Sequence, residues 1–168
     1  MFVKAAMPRH FSIVVFGLTQ IAVDLEVLWH MVRNEYPYHT FWHTYLGATI
    51  IAAVLTVLGK PASQWIKTLW NRMAVKRGNV DFTVSISTTW VASFTGASIG
   101  AYSHILLDSL YHPDSEPFQP WSASNQLRGV INPHVLEVAC VVLGIAGLAW
   151  FISRERRKRK ARASSAIV

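Results

Sequence analysis

Four long apolar stretches constrain this chain more than any other feature of its sequence. They cover residues 11–31, 41–59, 82–107 and 135–152, and each is close to the roughly 20 residues that an α-helix needs to cross a bilayer. Only 15% of the 168 residues are charged, against roughly 25% in ordinary soluble domains. A chain of this length could not bury so much apolar surface in one core. The sequence therefore predicts an all-α, polytopic membrane helix bundle with about four transmembrane helices.

Charged residues between these stretches predict how the chain is oriented. The positive-inside rule places flanks rich in Lys and Arg in the cytoplasm. Such flanks are Lys4 and Arg9 before the first stretch, five cations within residues 60–77, and the run 154–162 after the fourth. The first stretch lacks a small-x-small cleavage site after Gln20, so we expect a retained helix rather than a cleaved signal peptide. Four helices with both termini in the cytoplasm satisfy every flank.

The formal net charge of +7 is a property of the C-terminal tail. Residues 154–162 hold seven basic side chains and one acidic side chain, which leaves a net charge of +1 for the rest of the chain. No basic face remains that would favour nucleic acid as a partner. We expect one membrane-embedded domain over residues 1–153 and a basic cytoplasmic tail over residues 154–168, in contact with membrane lipid.

A short amphipathic segment is predicted between the second and third apolar stretches. Within residues 65–77, apolar side chains recur at helical spacing with cations between them: Trp65, Ile66, Leu69, Trp70 and Met73. This pattern is typical of a helix that lies on the membrane surface. An ordinary connecting loop is the alternative.

Histidines and carboxylates gather on one side of this predicted topology. Six of the seven His and seven of the nine acidic residues fall at or beyond the outward ends of the helices. Ionisable groups at membrane depth are costly, and they persist where they pair, bind an ion or do chemistry. Four pairs are three or four residues apart and so share a helix face: Glu26 with His30, His39 with His43, His104 with Asp108, and His134 with Glu137.

Imidazole and carboxylate groups from several helices are what a bundle uses to build a metal site. The single Cys excludes a thiolate cluster, so zinc is the first expectation, and Mn, Fe or Ni would also fit this ligand set. The alternative is that each His is a hydrogen-bonded residue of the membrane interface. For His134 and Glu137, a structural pair is favoured.

Three segments resemble, in order and roughly in spacing, the signatures of a known family. They are Val23-Asp24-Leu25-Glu26, His39-Thr40-Phe41-Trp42-His43-Thr44 and Ser103-His104-Ile105-Leu106-Leu107-Asp108-Ser109. The family is that of the YdjM-like (LexA-binding, inner-membrane-associated) metal-dependent hydrolases, whose patterns are approximately Pro-Asp-x-Asp, His-Arg-x-x-Thr-His-Ser and His-x-x-x-Asp. The resemblance covers about residues 10 to 135, including the loop that follows the third segment. The substitutions within the segments keep the candidate ligands.

The resemblance implies a set of site residues. The implied metal ligands are Asp24, His39, His43, His104 and Asp108. Glu26 would complete the set or act as a general base, and Asp24 is the second candidate catalytic residue. One or two ions fit this number of ligands. On the outer loop, His112, Asp114 and Glu116 would position substrate, supply a second metal or solvate the surface.

The function implied is metal-dependent hydrolysis of an ester or phosphoester at the outer face of a bacterial inner membrane. The substrate would be a lipid or an envelope precursor, whose head group reaches this face without crossing the bilayer. The sequence lacks the His-Glu-x-x-His, Gly-x-Ser-x-Gly and Walker motifs, which disfavours a zinc protease, a serine hydrolase and a nucleotide-driven enzyme. The alternatives are a non-catalytic membrane protein that carries or senses divalent metal, and a structural protein whose His and acids bind no metal.

Overall fold

Helices account for all the regular structure in the part of the chain that the computed structural model describes, residues 2–7 and 9–165. A short helix α1 (Phe2–Ala6) precedes four long ones: α2 (Ile13–Arg33), α3 (Tyr45–Lys76), α4 (Trp90–Tyr111) and α5 (Pro133–Ser165). Two 3-10 turns, Phe41–His43 and Val80–Phe82, precede α3 and α4. The all-α prediction is confirmed.

Three of these helices are long and apolar enough to cross a membrane: α2, α3 and the Pro133–Arg154 part of α5. Helix α4 has 22 residues but is not among them, because Ser, Thr and Gly dilute its apolar residues. Its small side chains face protein instead of lipid: Ala92, Ser93, Gly96, Ala97, Gly100 and Ala101 are all buried. Helix α4 packs through this face against both α2 and α3, while large apolar side chains elsewhere on it, such as Trp90 and Phe94, are exposed.

Glycines on α4 set the close approach of α2. A Cβ atom built on Gly96 would lie 2.6 Å from the backbone oxygen of Ser12, and one on Gly100 would lie 3.0 Å from Cβ of Thr19. Close packing of small residues is the usual way in which helices associate within a bilayer. The Gly96 and Gly100 pair therefore serves packing within the chain.

Helix α5 lies at the side of this three-helix bundle. Its main contacts are with α1 and, to a smaller extent, α4, and Tyr111 donates a hydrogen bond from its hydroxyl to Glu137 Oε1 (2.7 Å). Most of its apolar side chains between Val135 and Ile152 are exposed on the protein surface, as expected of a lipid-facing helix.

The predicted amphipathic helix is found as the last part of α3 and not as a separate element. Helix α3 continues through Pro61. Its 32 residues correspond to a length of about 48 Å, against about 30 Å for the hydrocarbon core, so its end projects beyond a bilayer. Trp65 and Trp70 are exposed there.

The predicted basic tail is also helical, because α5 runs through it to Ser165. The last three residues of the predicted tail, 166–168, lie outside the described residues.

Candidate metal centre

The antiparallel course of the bundle brings the predicted ligands to one end. Helices α2 and α4 end where α3 begins, so the second half of α2, the turn before α3 and the last two turns of α4 meet. The structure brings Asp24, His43 and His104 within ligand distance, since each offers an atom within 4.8 Å of the other two. The sequence-based expectation that these residues gather into one cluster is confirmed.

Local capping holds His43 in place. It ends the 3-10 turn Phe41–His43, and the next residue, Thr44, is the N-cap of α3. The Thr44 hydroxyl accepts a hydrogen bond from Gly47 N (3.0 Å) and donates one to Phe41 O (2.8 Å). Such a cap satisfies amides that the first turn of a helix leaves free. His43 is thereby fixed in a fully buried position.

Two histidine nitrogens lie close to the same two carboxylate oxygens between the helices. His104 Nε2 lies 3.2 Å from Asp24 Oδ1 and 3.0 Å from Asp108 Oδ2. His43 Nε2 lies 3.9 Å from the same Asp24 oxygen and 3.5 Å from the same Asp108 oxygen. Bonds of about 2.0–2.2 Å to a tetrahedral zinc ion would place its ligand atoms about 3.3–3.6 Å apart. These four separations are close to that spacing, and Asp24 and Asp108 each belong to a ligand group that contains His43.

Two of these atoms make no hydrogen bond of good geometry. They are His43 Nε2 and Asp108 Oδ2, both buried, and their contacts with each other (3.5 Å) and with His104 Nε2 (3.0 Å from Asp108 Oδ2) are ion-pair contacts. An unsatisfied buried polar group costs about 1–3 kcal/mol, and a cation between His43 and Asp108 would satisfy both atoms. Imidazole nitrogen and carboxylate oxygen are ligands that zinc accepts, so the residues present fit a divalent ion.

Each of the three predicted histidine ligands is held from behind through its other ring nitrogen. In each case Nδ1–H donates to an oxygen acceptor, which leaves the Nε2 lone pair free for a metal. The pairs are His43 with Glu26 Oε2 (3.1 Å), His39 with Asp114 Oδ1 (2.9 Å) and His104 with Gln20 Oε1 (2.5 Å).

Glu26 therefore lies behind His43 instead of beside the ligand atoms. Besides His43, its carboxylate accepts hydrogen bonds from the backbone amides of Thr40 (3.2 Å) and Trp42 (3.1 and 3.2 Å). All of these contacts tie the end of α2 to the turn before α3. The arrangement favours an orienting role for Glu26 over the general-base role that the sequence suggested. The predicted pairing of Glu26 with His30 is replaced by these contacts.

Asp24 marks the open side of the cluster. Its side chain is 57% exposed, whereas those of Asp108 and His43 are 16% and 0% exposed. A molecule approaching from outside the protein would reach Asp24 first.

A second ligand group adjoins the first. His39, His112 and Asp114 offer atoms within 4.8 Å of one another, and His39 also forms such a group with His43 and Asp108. The rings of His39 and His112 stack, with centroids 4.0 Å apart. His39 thus lies between the two groups, and the structure brings together all five predicted ligands together with His112 and Asp114.

Electrostatics suit this second group to cation binding. Burial and the nearby His39 lower the pKa of His112, so its ring is kept neutral, as a ligand must be. Burial opposes ionisation of Asp114, but hydrogen bonds from His39 and from the backbone amides of Tyr38 and His39 outweigh it and lower the pKa of that carboxyl. Asp114 is therefore ionised and His112 neutral.

Comparison with known families assigns the whole chain to one of them. A family model described as a domain of unknown function, DUF4184, matches residues 2–168. The chain belongs to the DUF4184 family. No curated protein and no solved structure matches it.

Two predicted residue sets of this DUF4184 chain lie outside the ligand groups. Glu116 is hydrogen-bonded to Gln119 and lines a cavity beside Asp114. His134 and Glu137 form a surface pair (3.5 Å) at the start of α5, with His134 90% exposed, in keeping with the structural role that the sequence favoured.

Sequence reasoning missed Gln20. Its side-chain amide donates to Gly100 O (3.0 Å) while its oxygen accepts from His104, so α4 itself fixes which way the amide faces. The available signal was a lone amide in the middle of the first apolar stretch, since polar side chains at membrane depth usually have a partner.

Proposed function

We propose that this protein is a membrane-bound metal-dependent hydrolase. One observation carries the proposal: His43 Nε2 and His104 Nε2 each lie 3.0–3.9 Å from a carboxylate oxygen of Asp24 and from one of Asp108. Two of these atoms are buried without a hydrogen bond of good geometry. Zinc is the ion that we assign, with His39 as a further ligand.

A divalent ion held there would lower the pKa of a bound water to about 7 and polarise the carbonyl or phosphoryl oxygen under attack. His43 and His104 would hold the ion through Nε2, while Glu26 and Gln20 fix their rings. Asp24, on the exposed side, would accept the proton of an attacking water through the carboxylate oxygen that is not in contact with His104. Asp108 lies deeper and would serve as a ligand.

The surroundings of the centre support a substrate of the membrane interface. Aromatic side chains on the two loops that flank it are exposed: Tyr36, Phe41, Phe118 and Trp121. Exposed aromatic rings are typical of the level of lipid head groups. The cation-rich end of α3 lies at the opposite end of the bundle, which under the positive-inside rule puts the centre outside and both termini in the cytoplasm. We assign the protein to a bacterial inner membrane, with an ester or phosphoester of a lipid or envelope precursor as substrate.

The resemblance of three sequence segments to the YdjM-like hydrolases supports the same activity, because the residues that match their signatures are those that meet in the cluster. We propose a relationship between this chain and that family.

The test is hydrolysis by the purified protein in detergent, assayed against phospholipids and chromogenic phosphoesters. We expect activity that a chelator removes, that zinc restores and that Asp108→Asn abolishes. Serine to alanine at Ser153 is the matched control, because that hydroxyl bonds only to the backbone of its own helix (Ala149 O, 2.7 Å). A protein that binds zinc but leaves every ester intact would contradict the proposal.

That contrary outcome would favour a non-catalytic metal-binding protein. A carrier would require polar groups that continue through the membrane. The residues next to the cluster in the core, Val23, Ala48 and Ala101, are apolar and buried, so the structure supports an enzyme over a carrier.

A further inference from the structure

A cavity of about 280 Å³ opens beside the metal centre. It lies between the loop that follows α2 and the loop that follows α4, and its walls include Tyr36, Pro37, Pro113, Glu116 and Gln119. His39 and Asp114 of the second ligand group also line it. The cavity and the metal centre therefore share a wall, and one ligand could occupy both.

The charges around this cavity favour a cation. Neither Lys nor Arg lines it, whereas two carboxylates do. Asp114 accepts hydrogen bonds from His39 and from two backbone amides. Glu116 accepts one from the side-chain amide of Gln119 and has no cationic side chain beside it in the lining of the cavity.

The cation at the end of α2, which precedes one of the two loops, is engaged elsewhere. Arg33 pairs with Glu35 (3.6 Å) and its guanidinium lies over the ring of Trp29 (4.8 Å). The carboxylate of Glu116 thus faces a space whose own lining offers it no positive partner.

The walls suit an ammonium group in particular. The ring of Tyr36 and the two prolines give the same cavity an aromatic and aliphatic surface, and the face of an aromatic ring attracts a cation. A volume of about 280 Å³ is at the low end for small-molecule sites. It admits a head group and leaves the rest of a lipid outside.

We propose that this cavity binds the ammonium group of the substrate, so that the hydrolysed molecule is a phosphoester of an amino alcohol. That the bound molecule is a substrate rests on the proposed hydrolase function. Binding of an ammonium group by the cavity does not depend on that function. With the phosphoester at the metal centre, the ammonium group passes His39 and reaches Glu116.

The first experiment measures binding of choline to the metal-free full-length protein in detergent by isothermal titration. We expect Glu116→Gln to weaken binding about 10-fold or more, which corresponds to about 1.4 kcal/mol, and Tyr36→Ala to weaken it less. Glu35→Gln is the matched control, because that acid is paired with Arg33, and it should bind choline as the unaltered protein does. Absence of choline binding, or binding unaffected by Glu116→Gln, would overturn the proposal.

The second experiment compares phosphatidylethanolamine with phosphatidylglycerol in mixed micelles, and soluble phosphoethanolamine with glycerol phosphate, using the zinc-loaded protein. We expect the ammonium compound to be preferred about 10-fold and Glu116→Gln to remove the preference without changing zinc content. Preference within the lipid pair identifies a lipid substrate, and preference within the soluble pair alone identifies a free phosphoester. Hydrolysis of all four compounds at equal rates would overturn the ammonium site but not the hydrolase function. Choline binding without hydrolysis of any compound would overturn the hydrolase function but not the ammonium site.

Discussion

Both ends of the bundle bury polar side chains, but the hydrogen bonding of these side chains differs between the two ends. At the end opposite the cluster, Ser63 Oγ lies 3.1 Å from Thr88 Oγ1 and 3.5 Å from Ser12 Oγ, and Lys67 Nζ donates to Thr88 Oγ1 (2.8 Å). Every member of this hydroxyl network has a partner. At the cluster, His43 Nε2 and Asp108 Oδ2 make ion-pair contacts but no hydrogen bond of good geometry.

This difference separates a structural network from a ligand site. Buried polar groups in folded proteins are nearly always paired, and an exception calls for a specific explanation. The hydroxyl network closes on itself and ties the segment before α4 to α2 and α3. We propose that a cation completes the cluster, so metal should matter at one end and be irrelevant at the other.

Removing a ligand should have the largest effect. We expect His43→Ala and Asp108→Ala to lose metal binding by more than the 10–100-fold that loss of an outer partner costs, while the bundle stays folded because α2, α3 and α4 pack through an apolar core. Metal content and circular dichroism of both purified variants check this. Full metal occupancy in either variant would contradict the assignment.

Substituting Glu26 should have a smaller effect on metal binding. Because Glu26 orients His43 and touches no ligand atom position, Glu26→Gln should weaken zinc binding about 10–100-fold and leave the bound geometry unchanged. Competition with a chelator measures the affinity, and the absorption spectrum of the cobalt-substituted protein reports the geometry. If Glu26→Gln instead abolished hydrolysis with no change in affinity, Glu26 would be the general base.

Gln20 allows two kinds of hydrogen-bond acceptor to be compared. A neutral amide holds the ring of His104, whereas carboxylates hold the rings of His43 and His39. Gln20→Leu should weaken zinc binding about 10-fold, and Gln20→Glu should restore it because a carboxylate oxygen also accepts the Nδ1 proton. Chelator competition distinguishes the two. Equal losses in both variants would indicate that Gln20 matters only for packing.

The hydroxyl network provides the contrast. Ser63→Ala leaves Thr88 and Ser12 without one partner each and should lower the free energy of unfolding by about 1–3 kcal/mol. Metal content and affinity should not change. A thermal or denaturant titration in detergent, run beside a zinc titration, measures both, and a coupled loss would remove the distinction between the two ends.

Much of the metal centre was predictable because topology alone decides it. Alternation of basic flanks with apolar stretches fixes which helix ends meet, and Asp24, His43 and Asp108 lie at ends that meet. The DUF4184 match adds no functional statement to this argument.

The details that escaped prediction depend on side-chain direction. Whether Glu26 faces His30 or His43 is decided by the turn Phe41–His43, whose amides attract its carboxylate. Gln20 can hold the ring of His104 only because α4 approaches α2 closely at Gly100. Helix α3 runs through Pro61 although a proline in a helix interior costs about 3 kcal/mol. Packing of α3 against α4 outweighs that cost, and the sequence pattern gives no information about this packing.

The central claim is that a divalent ion binds between α2, α3 and α4. X-ray absorption spectroscopy of the full-length protein, purified without chelators and combined with elemental analysis, tests it most directly. We predict at least one zinc ion per chain, with imidazole nitrogen and carboxylate oxygen ligands at about 2.0–2.2 Å and loss of the imidazole signal in His43→Ala. A protein free of metal after zinc addition, or an ion whose ligands are unchanged in that variant, would contradict the account.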